Sequence, residues 1–365
     1  MAGSTYGTLF TITTWGESHG PALGVVIDGC PAGIPLTADY IQTFLNRRKP
    51  GQSKFTTARK ESDQVEILSG VLEDITTGTP ISLIVHNKDQ RSHDYSKIKD
   101  CYRPGHADYT FDQKYGLRDY RGGGRTSGRE TIGRVAAGAV ACRILETLGI
   151  RLTTYTKSIG PVMIPDSAYD FDVISENHLY MPNLDYAAQA STYLEKCIQE
   201  RDSSGGMIEC LIDGMPAGIG EPVFDKLDAA LAQAVMSIGA VKGIEFGDGF
   251  AVTASTGSIN NDAFLSENGQ IRKATNHSGG ILGGLSDGSQ IIFRAAVKPT
   301  PSISQPQRTV NTSGDNIEIE ISGRHDPVVV PRAVVVVESM AAITLVDLLM
   351  QNMHSKIDYL KKIYL

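Results

Sequence analysis

Asp28-Gly29-Cys30-Pro31-Ala32-Gly33-Ile34 returns further along the chain as Asp213-Gly214-Met215-Pro216-Ala217-Gly218-Ile219. Both copies follow an aliphatic run that reads as a strand (22–28 and 207–213), and both lead towards a segment with helical spacing (37–48 and 224–238). Other features echo in the same order. A strand at 80–86 precedes Lys88 and Ser92, and one at 290–297 precedes Lys298 and Ser302. The loop Arg103-Pro104-Gly105-His106-Ala107-Asp108 is matched by Arg324-His325-Asp326-Pro327-Val328, and each is read as running on into an apolar helix that begins near an arginine, Arg134 or Arg332. Two pseudo-equivalent halves, roughly 1–150 and 200–355, are expected within one domain spanning 1–365. The alternative is that the heptapeptide is a recurring turn solution, since Gly and Pro punctuate turns in any fold.

A further strand is expected at 65–70, and helices at 132–148 and about 332–350. In the first of these helices Ile132, Val135, Ala139, Cys142 and Leu145 share one face, and Gly149 sits where a left-handed residue closes a helix. Pro331 suits the first turn of the last helix, although four consecutive valines leave its start ambiguous. The polar stretch 166–183 is read as an irregular surface excursion.

The formal charge of −7 argues against a protein that coats nucleic acid. The cations are nevertheless concentrated: Arg47, Arg48, Lys49, Lys54, Arg59 and Lys60 have no acid among them, and Arg118, Arg121, Arg125, Arg129 and Arg134 follow. Such clustering in an acidic chain suggests a small anionic ligand. Five cysteines without CxxC spacing point to a reducing compartment, and no Cys/His cluster suggests a metal. The first residues lack a signal-peptide pattern, and no apolar run is read as reaching the roughly 18 residues of a membrane helix. A soluble, cytoplasmic protein is expected.

Three loops carry chemistry. Gly16-Glu17-Ser18-His19-Gly20 sets an imidazole among glycines just before a strand, so it is not a hydrolase elbow, which needs a following helix; a structural histidine is the alternative. Arg121-Gly122-Gly123-Gly124-Arg125-Thr126-Ser127-Gly128-Arg129-Glu130-Thr131 offers backbone N–H groups, hydroxyls and guanidinium forks ahead of a helix start, but no Gly-Lys-Ser/Thr as in a P-loop. It reads as an anion cradle, against a mobile loop with solvated arginines. Lys298-Pro299-Thr300-Pro301-Ser302 is a cation-bearing rigid turn, and Gly279 to Gly284 suggests close backbone approach; a plain turn and tight packing are the alternatives. For Arg47 to Lys60 the alternative is a solvated basic face, helped by the helix dipole.

Taken together, the chain resembles the chorismate synthase family over nearly its whole length. The resemblance rests on TTWGESHG (13–20), DGCPAGIPL (28–36), FLNRRKPG (44–51), DQVEILSG (63–70), TTGTPI (76–81), the run RPGHADYTFDQKYGLRDYRGGGRTSGRETIGRVAAGA (103–139), GEPVFDKLDA (220–229), NHSGGILGG (276–284), KPTPS (298–302) and GRHDP (323–327). It implies an α+β fold, a single-domain β-α-β sandwich with helices between two antiparallel sheets, in a homotetramer. It also implies a lyase that needs reduced FMN to convert 5-enolpyruvylshikimate 3-phosphate to chorismate and phosphate, with a separate flavin reductase or NADPH as the source of electrons. By the same resemblance His19 protonates the departing phosphate, His106 sits near flavin N1, and Asp326 works with flavin N5 in removing the C6 proton. Both histidines are expected to be imidazolium beside anionic ligands. Substrate falls to Ser18, Arg48, Lys54, Arg103, Arg129 and Arg324. FMN falls to Arg125, Thr126, Ser127, Gly239, Ala240, Gly283, Lys298, Pro299, Thr300, Pro301, Ser302 and Arg324. Gly128, Gly239 and Lys54 depart from the family's usual Ala, Asn and Arg, and Lys54 keeps the charge without the fork. A non-catalytic binder of an anionic nucleotide and a nucleic-acid-binding protein are the rival readings. The first leaves His19, His106 and Asp326 without a shared purpose; net acidity argues against the second.

Overall fold

The computed structural model describes residues 3–56, 61–88, 99–321 and 326–365, and shows a mixed α/β fold. One sheet has the strand order β1 (Thr5–Tyr6), β2 (Thr11–Gly16), β3 (Ala22–Asp28), β7 (Ile81–His86), β4 (Val65–Ser69), with every pair antiparallel. The hairpin β5 (Val71–Leu72) and β6 (Ile75–Thr76) lies between β4 and β7 in sequence. The second sheet has the order β11 (Val241–Phe246), β16 (Ile291–Val297), β10 (Gly206–Asp213), β8 (Arg151–Ile159), β9 (Val162–Met163), again antiparallel throughout. Three more hairpins lie outside the sheets: β12 (Phe264–Glu267) with β13 (Gln270–Lys273), β14 (Ile281–Leu282) with β15 (Leu285–Ser286), and β17 (Pro306–Val310) with β18 (Asn316–Glu320).

The helices are α1 (Ala38–Arg48), α2 (Asp108–Tyr115), α3 (Thr131–Thr147), α4 (Leu184–Gln199), α5 (Leu227–Met236), α6 (Gly257–Asn260), α7 (Val330–Asn352) and α8 (Ile357–Tyr364). Thr37 caps α1 by accepting the Tyr40 N–H at 3.1 Å, while Arg47 and Arg48 stand at its negative end. Gly149 adopts φ +75° just past α3, as its position foretold. Pro331 occupies the first turn of α7, where a missing N–H is harmless.

α3 packs on β2, β3 and β7, α7 packs on β8 and β10, and the two helices pack on each other. Small residues permit this. A Cβ on Gly133 would lie 3.0 Å from the Gly24 carbonyl oxygen, and one on Gly138 would lie 2.1 Å from Ser339 Cβ. Buried polar groups on α7 then fix the N-terminal turn: Asp347 accepts the N–H groups of Thr8, Leu9 and Phe10 at 3.0, 2.7 and 2.9 Å.

The two heptapeptides make the same bonds. Thr76 accepts Gly33 N–H on its carbonyl and Ile34 N–H on its hydroxyl, and that hydroxyl donates to Pro31 O. Ser286 does the same for Gly218, Ile219 and Pro216. A hydroxyl on the last residue of a short hairpin is therefore the shared anchor.

Several expectations need correction. α7 passes the length and composition test for a membrane helix that no run was thought to meet, yet 89% of its apolar window is buried in this protein. The helix expected at 224–238 shortens to Leu227–Met236, leaving Phe224 exposed. The loop carrying His106 leads not into apolar α3 but into α2, which buries only Asp108. Segment 166–183 is less superficial than expected: it buries Leu179 and Met181, and Tyr180 O accepts Thr156 N–H from β8 at 2.9 Å. Strand β8 escaped notice because its threonines and lysine carry no apolar alternation, and helix α4, capped by Asn183, escaped with it.

Replacing Gly138 with Ala should cost about 1–3 kcal/mol through overpacking against Ser339, despite Ala's better helix propensity. Urea denaturation checks this, and Ser339→Gly in the same chain should not restore it, because the Ser339 backbone Cα would still lie 2.5 Å from the added Cβ.

Candidate functional site

The His19 turn joins β2 to β3. Gly16 must be glycine there, because its φ is +87° and a Cβ would meet the Ala22 carbonyl oxygen at 2.3 Å. Ser18 is buried. Its Oγ lies 3.1 Å from His19 Nδ1 and donates to Gly122 O at 3.3 Å. With that hydroxyl proton committed, Nδ1–H is the donor between the two side chains. Gly122 lies against the imidazole, where a Cβ would come 2.2 Å from Cε1. The Asn87 side chain, just after β7, donates to Glu17 O and Gly20 O at 3.0 and 2.7 Å and accepts Arg129 Nε–H at 3.0 Å.

Arg129 belongs to a buried cluster. Asp63 accepts Arg48 Nη1–H on one carboxylate oxygen at 2.8 Å; its other oxygen makes no hydrogen bond among the described residues and lies 3.1 Å from Arg129 Nη1 as an ion pair, and Glu61 lies 3.6 Å from Arg129. Arg332 donates to the Arg48 carbonyl at 3.0 Å and pairs with Asp326. Burial pulls the Arg48 guanidinium down to about 9, and Arg332 and Arg129 add to the effect against the pull of Asp63. Asp63 holds φ +45°, an unusual conformation for a non-glycine residue that fits a position fixed by its partners. Arg129 Nη2 is buried and makes no hydrogen bond among the described residues, so the cluster retains a donor for an anion.

The second loop set surrounds His106. Its Nδ1 bonds Pro104 O at 3.0 Å and its Nε2 meets Ser302 Oγ at 2.8 Å, which places the neutral ring's proton on Nδ1. Lys298 Nζ donates to Gly105 O at 2.8 Å, and its own N–H bonds Ala240 O at 2.9 Å. Pro301 packs on Gly105, Pro299 packs on Gly205, and Ser203 donates to Thr300 O. Thr300 Oγ1 is buried with no hydrogen bond among the described residues. Behind the loop, Tyr102 N–H pairs with Val310 O, so the β17–β18 hairpin supports it. Burial first, then Arg103 and Lys298, push the His106 imidazole down to about 4. In the protein alone burial favours the neutral ring, whereas the imidazolium is expected beside anionic ligands.

The expected site residues divide accordingly. Ser18, His19, Arg48, Arg129 and, through Arg332, Asp326 are brought together. His106, Ala240, Lys298, Pro299, Thr300, Pro301 and Ser302 form the second group, with Gly239 beside Ala240. Arg125 bonds Thr14 and Gly16 O at the end of β2, Thr126 bonds Gly123 O, and Ser127 accepts Arg129 N–H. Arg103 is taken by Asp108 in a two-pronged pair, at 2.8 Å on each prong. Lys54 pairs with Glu195 at the surface. Gly283 turns the β14–β15 hairpin and makes no bond to either group among the described residues. Arg324, Arg59 and Lys60 lie outside the described residues. Reading the sequence missed Asp63, Asn87 and the pairing role of Arg332. A lone carboxylate and an amide at a strand end carry no local signal.

Buried arginines balanced by carboxylates, with an imidazole on each of two loops, suit acid–base chemistry on an anion. A family profile described as chorismate synthase matches residues 10–350. A chorismate synthase of Lachnoclostridium phytofermentans is 65% identical over 365 residues, covering 100% of both chains. One of Agathobacter rectalis is 63% identical over 364 residues, covering 100% of this chain and 99% of its own. A crystal structure of chorismate synthase matches with a TM-score of 0.77 and 30% identity, over 98% of this chain and 96% of that one. Fold, site and relatives define a lyase. The chain belongs to the chorismate synthase family, whose place is in the shikimate pathway of aromatic amino-acid biosynthesis.

Asp63→Asn should cost about 3–5 kcal/mol, since it leaves Arg48 buried without its carboxylate; chemical denaturation measures the loss. His106 binds fewer protons folded than unfolded between its ordinary 6.5 and about 4. Its contribution to stability is therefore complete above 6.5 and is lost as pH falls through that window. It amounts to at most about 3.5 kcal/mol, and His106→Gln should flatten this part of the stability–pH curve.

Proposed function

We propose that this chain eliminates phosphate from 5-enolpyruvylshikimate 3-phosphate in the 1,4 sense to give chorismate, with reduced FMN bound. The observation that carries the reading is the junction at Asn87, which joins the His19 turn to Arg129, while Arg129 shares Asp63 with Arg48. A proton donor thereby stands beside a buried anion site. The unpartnered Arg129 Nη2 and Thr300 Oγ1 fit polar groups of a substrate and a cofactor.

Arg48 and Arg129 bind the phosphate and carboxylate groups of the substrate, with charged hydrogen bonds contributing ~1.5–3 kcal/mol each. His19 delivers a proton to the departing phosphate, and its Ser18 and Gly122 contacts hold the ring for that delivery. Asp326, paired with Arg332, would work with flavin N5 in removing the C6 proton. That hydrogen is not activated by an adjacent carbonyl; what reduced flavin supplies when bound is electron density lent as phosphate leaves and regained afterwards. His106, Lys298 and the Pro299 to Ser302 turn would hold its ring system, with Arg125, Thr126, Ser127, Ala240 and Arg324 as further contacts.

The reading extends to architecture. The matched bonding of the two heptapeptides supports two pseudo-equivalent halves in one domain, with α3 and α7 as the middle of a β-α-β sandwich. Phe224, Phe250, Phe264 and Ile271 are exposed, which supports burial between copies in a homotetramer.

The test is phosphate release under strictly anaerobic conditions with pre-reduced FMN, oxidised FMN, or oxidised FMN plus NADPH. Turnover with pre-reduced flavin alone is expected, which assigns reduction to a separate flavin reductase; turnover with NADPH would assign it to this chain. His19→Ala should lower kcat by about 10²-fold or more. Folded protein that binds FMN but releases no phosphate in any arm would overturn the reading in favour of a non-catalytic nucleotide-binding module.

A further inference from the structure

We infer that Asn87 is a positioning residue whose carboxamide fixes the His19 turn at a set distance from the Arg129 guanidinium. The inference rests on the proposed roles of His19 and Arg129. Its structural content stands on the bonds themselves. The two Nδ2 hydrogens go to Glu17 O at 3.0 Å and Gly20 O at 2.7 Å, the carbonyls on either side of Ser18-His19. Oδ1 accepts Arg129 Nε–H at 3.0 Å, and the Asn87 backbone N–H donates to Pro21 O at 3.0 Å. The turn is closed by Gly20 N–H to Glu17 O at 3.1 Å.

The orientation of the amide admits no flip. Two of its partners are carbonyls, which only accept, and the third is a guanidinium, which only donates. Both amide hydrogens and the oxygen are therefore used in one plane. Aspartate keeps the shape and the acceptor for Arg129 but turns two donors into acceptors that face carbonyl oxygens. Glutamine keeps the groups and displaces them by one methylene.

Position matters because Asn87 links the His19 turn to the Arg129 side chain itself. Ser18 and Arg125 also tie the turn to the 121–131 loop, through Gly122 O and Gly16 O, but these bonds do not reach the Arg129 guanidinium. Arg129, by contrast, is held by Asp63 whether or not the turn moves. Loss of the amide donors should therefore uncouple proton delivery from anion binding. In Asn87→Asp, kcat should fall by at least about tenfold, part of the 10²–10⁴-fold a positioned acid supplies. In Asn87→Gln, which adds no charge, KM and the affinity for inorganic phosphate should change less than about threefold, whereas the carboxylate of Asn87→Asp also weakens anion binding at Arg129.

The test uses the full-length protein with 13C-labelled histidine, with the His19 Cε1–H resonance identified by its loss in His19→Ala. Asn87→Asp should shift that resonance and lower kcat, and Asn87→Gln should give an intermediate shift and rate with KM retained. An unmoved His19 resonance in the folded variants overturns the proposal, whatever happens to turnover. A parallel rise in KM and fall in phosphate affinity without a kcat effect also overturns it. If the resonance shifts while both Asn87→Asp and His19→Ala keep wild-type kcat, the coupling stands and the catalytic role of His19 is what fails. If Asn87→Asp does not fold, the Asn87→Gln resonance decides alone.

Discussion

The close approach of α3 to α7 at Gly138 and Ser339 is the constraint on which the rest of the structure depends. A Cβ at Gly138 has no room, so the two helices meet at backbone distance, with α3 packed mainly on β2 and β3 and α7 on β8 and β10. The approach fixes where the N-terminal ends of the two helices stand. Arg129 lies just before α3, and Asp326 and Arg332 flank the start of α7. A shift in the helix contact would thus move an anion donor relative to a carboxylate. Close-packed interiors transmit such displacements rather than absorb them.

Electrostatics then decides what the site is before any ligand arrives. Arg48, Arg129 and Arg332 are matched by Glu61, Asp63 and Asp326, so the buried charges balance. Such a balance makes a cluster of guanidinium groups tolerable in the interior, where an unpaired charge is expensive. It also gives an entering phosphate or carboxylate something to displace or complement, and Arg129 Nη2 is the donor left over for it. His106 shows the same logic from the other side. Burial among cations keeps its ring neutral, and only an added anion would favour its charged form.

Much of the fold was legible because it rests on local rules. The turn after β3 and the turn after β10 repeat the same glycines and prolines, and the structure gives them the same hydrogen bonds to Thr76 and Ser286. α3 showed its buried face through spacing and its end through Gly149. The failures share a cause. β8 is buried although it reads Arg-Leu-Thr-Thr-Tyr-Thr-Lys-Ser-Ile, because Lys157 and Tyr155 find Glu209 on the neighbouring strand β10. Tertiary partners make those polar residues internal, and periodicity alone has no access to partners.

The same division holds at the site. By itself the sequence determined which chemical groups are present and which turns present them: His19 among glycines, arginines after a glycine loop, Lys298 before two prolines. These depend on residue type and backbone geometry over a few positions. Only the tertiary structure decided that Arg103 is committed to Asp108, that Lys54 faces Glu195, and that Asp63, Asn87 and Arg332 organise the cluster. A charge's role is set by the partner within a few ångströms, and that partner comes from a distant part of the chain.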